Sequence, residues 1–146
     1  MANDRPIRDV MTANPECVSE RDSIREVARI MKREDTGVVP VVDGRKIIGM
    51  ITDRDIVVRL VAEGKDPANA KVNEAMTKNV RSIREDSTVS DALQVMRSAE
   101  IRRVPVVNDR NEIVGIVSMR DIAIETREAG PIGKTVEDIS QARPNN

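Results

Sequence analysis

The sequence predicts an α+β fold built from two copies of one β-α-β-β-α unit, and three recurrences carry that prediction. IRDVMT at 7–12 returns as VNEAMT at 72–77. A β-branched run around a proline, GVVPVVD at 37–43, returns as RVPVVND at 103–109. A strand passing into a helix, GMITDRD at 49–55, returns as GIVSMRD at 115–121. The offset is 65 residues from Thr12 to Thr77 and from Pro40 to Pro105, and 66 from Gly49 to Gly115. The extra residue falls where DGRK becomes NDRNE, in a turn, which is where a duplicated structure tolerates an insertion.

In repeat one, Ser23 opens a helix, with Glu26 three residues on to complete a capping box and Ile24, Val27, Ala28 and Met31 on one apolar face. The run 37–43 reads as a buried strand with Pro40 at an edge or near its start. Asp43-Gly44 signals a tight turn, and KIIGMIT at 46–52 is the return strand. Thr52 is placed as the N-cap of a second helix, with Asp55 in its first turn, running from Asp53 to Glu63 and stopping at Gly64.

Repeat two follows the same order. An entry segment NVRSI at 79–83 precedes a helix opened by Thr88 with Asp91 as capping partner and Val89, Ala92, Leu93 and Met96 on its apolar face. RVPVVND and EIVGIVS follow as strands, then a helix from Met119 to about Ala129, ended by Gly130 and Pro131. The expected organisation is repeat one over 1–64, a polar Pro/Gly-containing linker over 65–71, repeat two over 72–130 and a tail over 131–146, in which TVEDIS at 135–140 echoes the entry segments. Met11, Met31, Met76 and Met96 are expected as core filler, Pro40 and Pro105 as strand punctuation, and Cys17 as a small, at least half-buried apolar residue.

Composition narrows the function. In 146 residues, 39% hydrophobic content supplies a core, yet no Phe, Trp or Tyr occurs, so stacking platforms for single-stranded nucleic acid are absent. Charge is balanced, 24 basic against 25 acidic residues, which gives no general attraction to polyanions or membranes. The absence of histidine removes His-based catalysis and His-ligated metals, so no nucleophile-base pair of that kind can be assembled. One cysteine excludes an internal disulfide and fits a reducing compartment. No apolar run approaches the roughly 20 residues of a membrane span and the N-terminus lacks a signal-peptide core, so a cytoplasmic location is expected.

VMT, then an x-V-P-V-V-D strand, then a G-h-h-[TS]-x-x-D junction, twice in tandem over residues 7 to about 129, resembles a pair of cystathionine β-synthase (CBS) domains, the Bateman module. The resemblance implies two repeats packed through their sheets about a pseudo-twofold axis, two clefts between them, and a homodimer forming a four-repeat disc. It implies a stand-alone regulatory sensor, not an enzyme, with no obligatory cofactor. Its clefts take adenosine-containing ligands, AMP, ADP or ATP first, with S-adenosylmethionine or NAD as further candidates, and its output passes to a separate effector protein because the repeats use up the chain.

The residue types make physical sense of that implication. An ionised Asp55 or Asp121 is acceptor-only and can take both hydroxyl protons of a ribose diol. Thr52 and Ser118 face a helix N-terminus, where backbone N–H groups favour anions, and Arg54 and Arg120 are placed to reach phosphate. An aliphatic slot and main-chain bonds for adenine are expected from Thr12, Pro15 and Val18, from Thr77, Val80 and Ile83, and from the strand starts Val38-Val39 and Arg102-Arg103-Val104. Ile101 to Pro105 resembles the I-x-R-[LIV]-P form of nucleotide-sensing subunits of AMP-activated protein kinase, where the arginine meets phosphate. Repeat one has no such arginine, and Asp53 is exchanged for Met119, so unequal sites are expected. The alternative is a structural or dimerisation protein with empty or degenerate clefts, in which the T-x-x-D and S-x-x-D pairs are helix caps and nothing more.

Overall fold

Each apolar run folds into the element its period dictates. The structure, a computed structural model, describes residues 4–126. In chain order it has β1 (Thr12–Ala13), α1 (Ile24–Glu34), β2 (Val38–Asp43), β3 (Lys46–Thr52), α2 (Asp53–Ile56) continuing as a π-helical turn (Val57–Val61), β4 (Thr77–Lys78), β5 (Ile83–Arg84), α3 (Val89–Ala99), β6 (Arg103–Val107), β7 (Ile113–Ser118) and α4 (Met119–Thr126). The fold is mixed α+β, as expected. The proposed end of the last helix near Ala129, the Gly130-Pro131 stop and the TVEDIS segment lie outside the described residues. No helix among the described residues is long and apolar enough to cross a membrane.

The chain forms two compact units, and they do not follow the repeats from end to end. Among the described residues, one contains 15–80 with 111–113; the other contains 4–14, 81–110 and 114–126. Each repeat's entry segment is therefore built into the unit that holds the other repeat's hairpin.

In the first of these units β2, β3 and β4 form a sheet in that order. β2 pairs antiparallel with β3, Val38 opposite Thr52 and Asp43 opposite Lys46, with an irregularity between Val41 and Val42. Gly44, at φ +66°, makes the turn that Asp43-Gly44 signals. Pro40 sits on an edge strand, where its missing N–H costs no ladder bond. Met50 of β3 pairs with Thr77 of β4. The core gathers Ile24, Val27 and Ile30 of α1, Val39, Val41 and Ile51 of the hairpin, Leu60 of the π turn, and Val72, Ala75 and Met76 from the entry segment of repeat two. The segment 63–71 is tied down: the Ile24 N–H donates to the Ala70 carbonyl at 3.1 Å and Ser23 bridges Lys71.

Two expectations for α1 need correction. Ala28 is exposed and Ile30 is buried instead, so the apolar stripe runs along Ile24, Val27 and Ile30 with Met31 at its margin. Ser23 Oγ accepts from the Glu26 N–H at 3.1 Å, but the reciprocal half of the box is missing. The Glu26 carboxylate lies toward Arg29, at 4.0 Å, and the bridge that sets Ser23 opposite Lys71 is made by the Ile24 N–H to Ala70 and Val72 N–H to Asp22 bonds.

In the other unit the sheet order is β1-β7-β6-β5. Thr12 pairs with Ile116, and β5 runs parallel to β6 with Ile83 opposite Val106, so that Pro105 lies just beyond the ladder β5 makes. Thr88 and Asp91 form the full capping box that opens α3, whose Val89, Ala92 and Met96 are buried with Leu93 packed beside them. Ile7 and Val10 of the first entry segment join this core, held by an Ile7 N–H to Ser87 carbonyl bond of 2.7 Å.

Candidate functional site

Each unit presents a junction where a strand end, a helix start, a neighbouring strand start and a foreign entry segment meet. In the unit of 15–80 the junction is built on a capping box. Thr52 Oγ1 accepts from the Asp55 N–H at 3.0 Å, and Asp55 Oδ2 accepts from the Thr52 N–H at 3.0 Å. This satisfies two of the donors a helix start leaves open and fixes the carboxylate's orientation. The Asp53 N–H donates to the Gly37 carbonyl at 3.0 Å, which brings the start of β2 alongside. β4 supplies Thr77, whose hydroxyl lies 3.4 Å from Asp55 Oδ1.

Arg59 completes this arrangement. Its Nη1 donates to the Met76 carbonyl at 2.9 Å, and its Nε stands 3.8 Å from Asp55 Oδ1. Asp55 is thus held through one oxygen by its cap and faced on the other by a hydroxyl and a cation.

The second junction repeats the frame. Ser118 Oγ accepts from the Asp121 N–H and Asp121 Oδ2 from the Ser118 N–H, both at 3.0 Å. The Met119 N–H donates to the Arg102 carbonyl at 2.8 Å, matching the bond from Asp53 to Gly37. Here the residue in Arg59's place, at the offset of 66 that relates Asp55 to Asp121, is Glu125. It turns away to an ion pair with Arg5 at 2.8 Å. Among the described residues no hydrogen bond or ion pair reaches Asp121 Oδ1.

The other sequence-chosen positions divide between the units. Thr52, Asp55, Val38 and Thr77 meet at one junction; Ser118, Asp121, Arg102, Arg103 and Thr12 gather about the other. Arg54 and Arg120 are exposed, while Arg103 is half-buried. Burial, followed by the neighbouring charge of Arg103, pushes the Arg102 guanidinium below its ordinary value. Val18, Val39, Ile83 and Val104 lie in the cores, so what they can offer a ligand is main chain. Pro15 gives its carbonyl to the Cys17 thiol, and among the described residues no hydrogen bond joins Pro15 or Val80 to either junction. Burial raises the Cys17 thiol above its usual range, as suits an inert half-buried residue.

The exchange of Asp53 for Met119 works differently from the expectation. Asp53 is exposed, whereas Met119 is 3% exposed and packs into its unit's core, so the charge is lost because the side chain turns inward. Sequence reasoning missed Arg59, Glu125 and Arg5. The spacing from Asp55 to Arg59 is the ordinary i,i+4 ion-pair signal and was available; the Met76 carbonyl that anchors the arginine was not.

Among the described residues no group of three or more Cys, Asp or Glu side chains is arranged to hold a metal ion. The CBS domain family model matches residues 7–62 and 72–127. The CBS domain-containing protein YhcV of Bacillus subtilis (strain 168) is 37% identical over 134 residues, covering 92% of this chain and 94% of its own. The crystal structure of Hypoxic Response Protein I with two coordinated zinc ions is 35% identical, with a TM-score of 0.75 over 82% of this chain and 98% of its own. The CBS domain pair of protein MJ0100, solved in complex with 5′-methylthioadenosine and S-adenosyl-L-methionine, is 30% identical with a TM-score of 0.75 over 86% and 98%. Two matched repeats spanning most of the sequence, on a fold shared with these structures, make this chain a member of the CBS-domain family.

Proposed function

We propose that the chain is a regulatory binding protein whose two strand-to-helix junctions take adenosine-containing ligands, AMP, ADP or ATP foremost and S-adenosylmethionine or NAD as further candidates. The observation that carries the reading is the fixed carboxylate. Asp55 and Asp121 are each oriented by a two-way cap through Oδ2, which aims Oδ1 as the acceptor for a diol, shared at Asp55 with Thr77 and Arg59. A side chain already ordered for folding loses little further entropy on binding. The adenosyl ligands of the MJ0100 domain pair support the ligand class. Nearby Arg54, Arg103 and Arg120 are the groups we assign to phosphate. For AMP, about 23 heavy atoms at about 0.3 kcal/mol each give a Kd on the order of 10 μM, the range of a sensor of cellular nucleotide.

The test is a thermal-shift panel of AMP, ADP, ATP, S-adenosylmethionine and NAD. At 100 times Kd a ligand adds about 2.7 kcal/mol, which is several degrees for a chain of this size. Stabilisation by at least one is expected; no shift with any at millimolar concentration would leave the structural reading in its place.

We also assign the partner of the α2 segment to a second copy of this chain. Val57, Val58 and Val61 stand 56%, 44% and 55% exposed within five residues, an apolar strip that an identical strip across a twofold axis would cover. Val58→Glu is expected to shift sedimentation equilibrium to monomer without lowering the melting temperature of the isolated chain; an unchanged association state removes that assignment.

A further inference from the structure

Resting on the ligand class proposed above, we infer that Arg59 is a specificity-determining residue that makes the two junctions unequal, so that a ribose diol fills the Asp121 junction first. The inference stands on what faces the free carboxylate oxygen in two junctions with matching cap bonds. Both aspartates commit Oδ2 to the cap at 3.0 Å. At Asp55 the remaining oxygen already faces Thr77 Oγ1 at 3.4 Å and Arg59 Nε at 3.8 Å; at Asp121 it meets neither a cation nor a hydroxyl among the described residues. A diol donating to Asp55 must compete with both groups.

Arg59 is anchored on the side that faces Asp55. Its Nη1 is bonded to the Met76 carbonyl at 2.9 Å, and the π-helical turn on which it stands, closed by the Ala62 N–H to Val57 carbonyl bond of 2.8 Å, sets where its stem leaves the helix. Glu125 at the matching position carries the opposite charge, which Arg5 neutralises at 2.8 Å and draws off from Asp121. Asp53, Arg54, Asp55 and Arg59 balance at one junction, whereas Arg102 and Arg103 add two cations at the other beside Arg120, Asp121, Glu125 and Arg5. A nucleoside without phosphate gives those two arginines no anion to hold, so what separates the sites for a diol is whether the acceptor oxygen is already engaged.

Calorimetric titration of the full chain with adenosine tests this, because adenosine has the diol and no phosphate for an arginine to hold. Two binding events are expected. Asp121→Asn weakens the tighter and Asp55→Asn the weaker. Arg59→Gln, which removes the cation, tightens the weaker event about fivefold, the scale of a half-exposed ion pair. It leaves the tighter event unchanged, and Arg59→Met does the same. With 2′,3′-dideoxyadenosine neither Arg59 variant changes affinity. The inference is overturned if Arg59→Gln leaves the weaker event unchanged or weakens it, since Arg59 would then contact the ligand instead of competing with it. It is equally overturned if Asp55→Asn removes the tighter event. Those outcomes leave the ligand class standing; a native chain that binds no adenosine overturns the ligand class and this inference together.

Discussion

Gly49→Ala destabilises the protein by about 2–3 kcal/mol, and Gly115→Ala, the same change at the same place in the other hairpin, costs about 1 kcal/mol. A Cβ built on Gly49 would lie 2.4 Å from Met76 Cε and 2.6 Å from the Thr77 carbonyl oxygen. The methionine end can swing aside, but the carbonyl belongs to β4, which must itself be displaced. β4 is two residues long and is held by its pairing with Gly49 and Met50 and by Val72, Ala75 and Met76 in the core behind it. At Gly115 the close contacts are to Met11 Sδ at 2.4 Å and Cγ at 2.9 Å, with the nearest backbone atom, the Thr12 carbonyl oxygen, at 3.0 Å. Met11 is only partly buried, so a flexible side chain yields where backbone cannot. Urea denaturation followed by far-UV circular dichroism measures both. Equal losses would show that the backbone approach is not what decides. The Gly49 variant has a functional consequence too, because moving β4 carries Thr77 and the Met76 carbonyl away from Asp55 and loosens the anchor of Arg59.

Much of this architecture was legible because its signals are local. The hydroxyl and aspartate pairs at Thr52, Thr88 and Ser118 became the caps expected of them, because an S/T-x-x-D box needs only three residues of helix start. Asp43-Gly44 became a turn, since only φ above zero at Gly44 closes that hairpin so tightly. Ser23 completed only half of its box, with the Glu26 carboxylate lying toward Arg29 instead. The other misses were non-local. Met119 resembles a surface exchange for Asp53 in sequence, but the core of its unit draws it inward. The pairing of Thr77 with Met50, and of Thr12 with Ile116, exchanges entry segments between repeats. A repeat offset is the same whether a segment packs on its own hairpin or on the other one, so periodicity carries no information on that choice.

At the junctions themselves the largest effect is expected from Asp121. Asp121→Asn weakens adenosine binding at the tighter site about 30- to 150-fold, and 2′,3′-dideoxyadenosine binds the native and Asn forms with the same, already reduced, affinity. A hydrogen bond to a charged acceptor contributes about 1.5–3 kcal/mol, and the exchange removes the charge and turns an amide donor toward the diol's own donors. That loss, about 2–3 kcal/mol, converts to the stated factor. The substitution separates binding from folding. An Asn side-chain oxygen can still accept from the Ser118 N–H, so thermal stability without ligand changes little, whereas Asp121→Ala also forfeits a cap bond and about 0.5–2 kcal/mol of stability. The double cycle of protein and ligand isolates the contact, because a role confined to capping would weaken both nucleosides equally and leave no coupling between the two changes. A coupling near zero with adenosine bound would therefore move the diol off Asp121. A coupling of about 2 kcal/mol or more would place it on the oxygen that the cap leaves open.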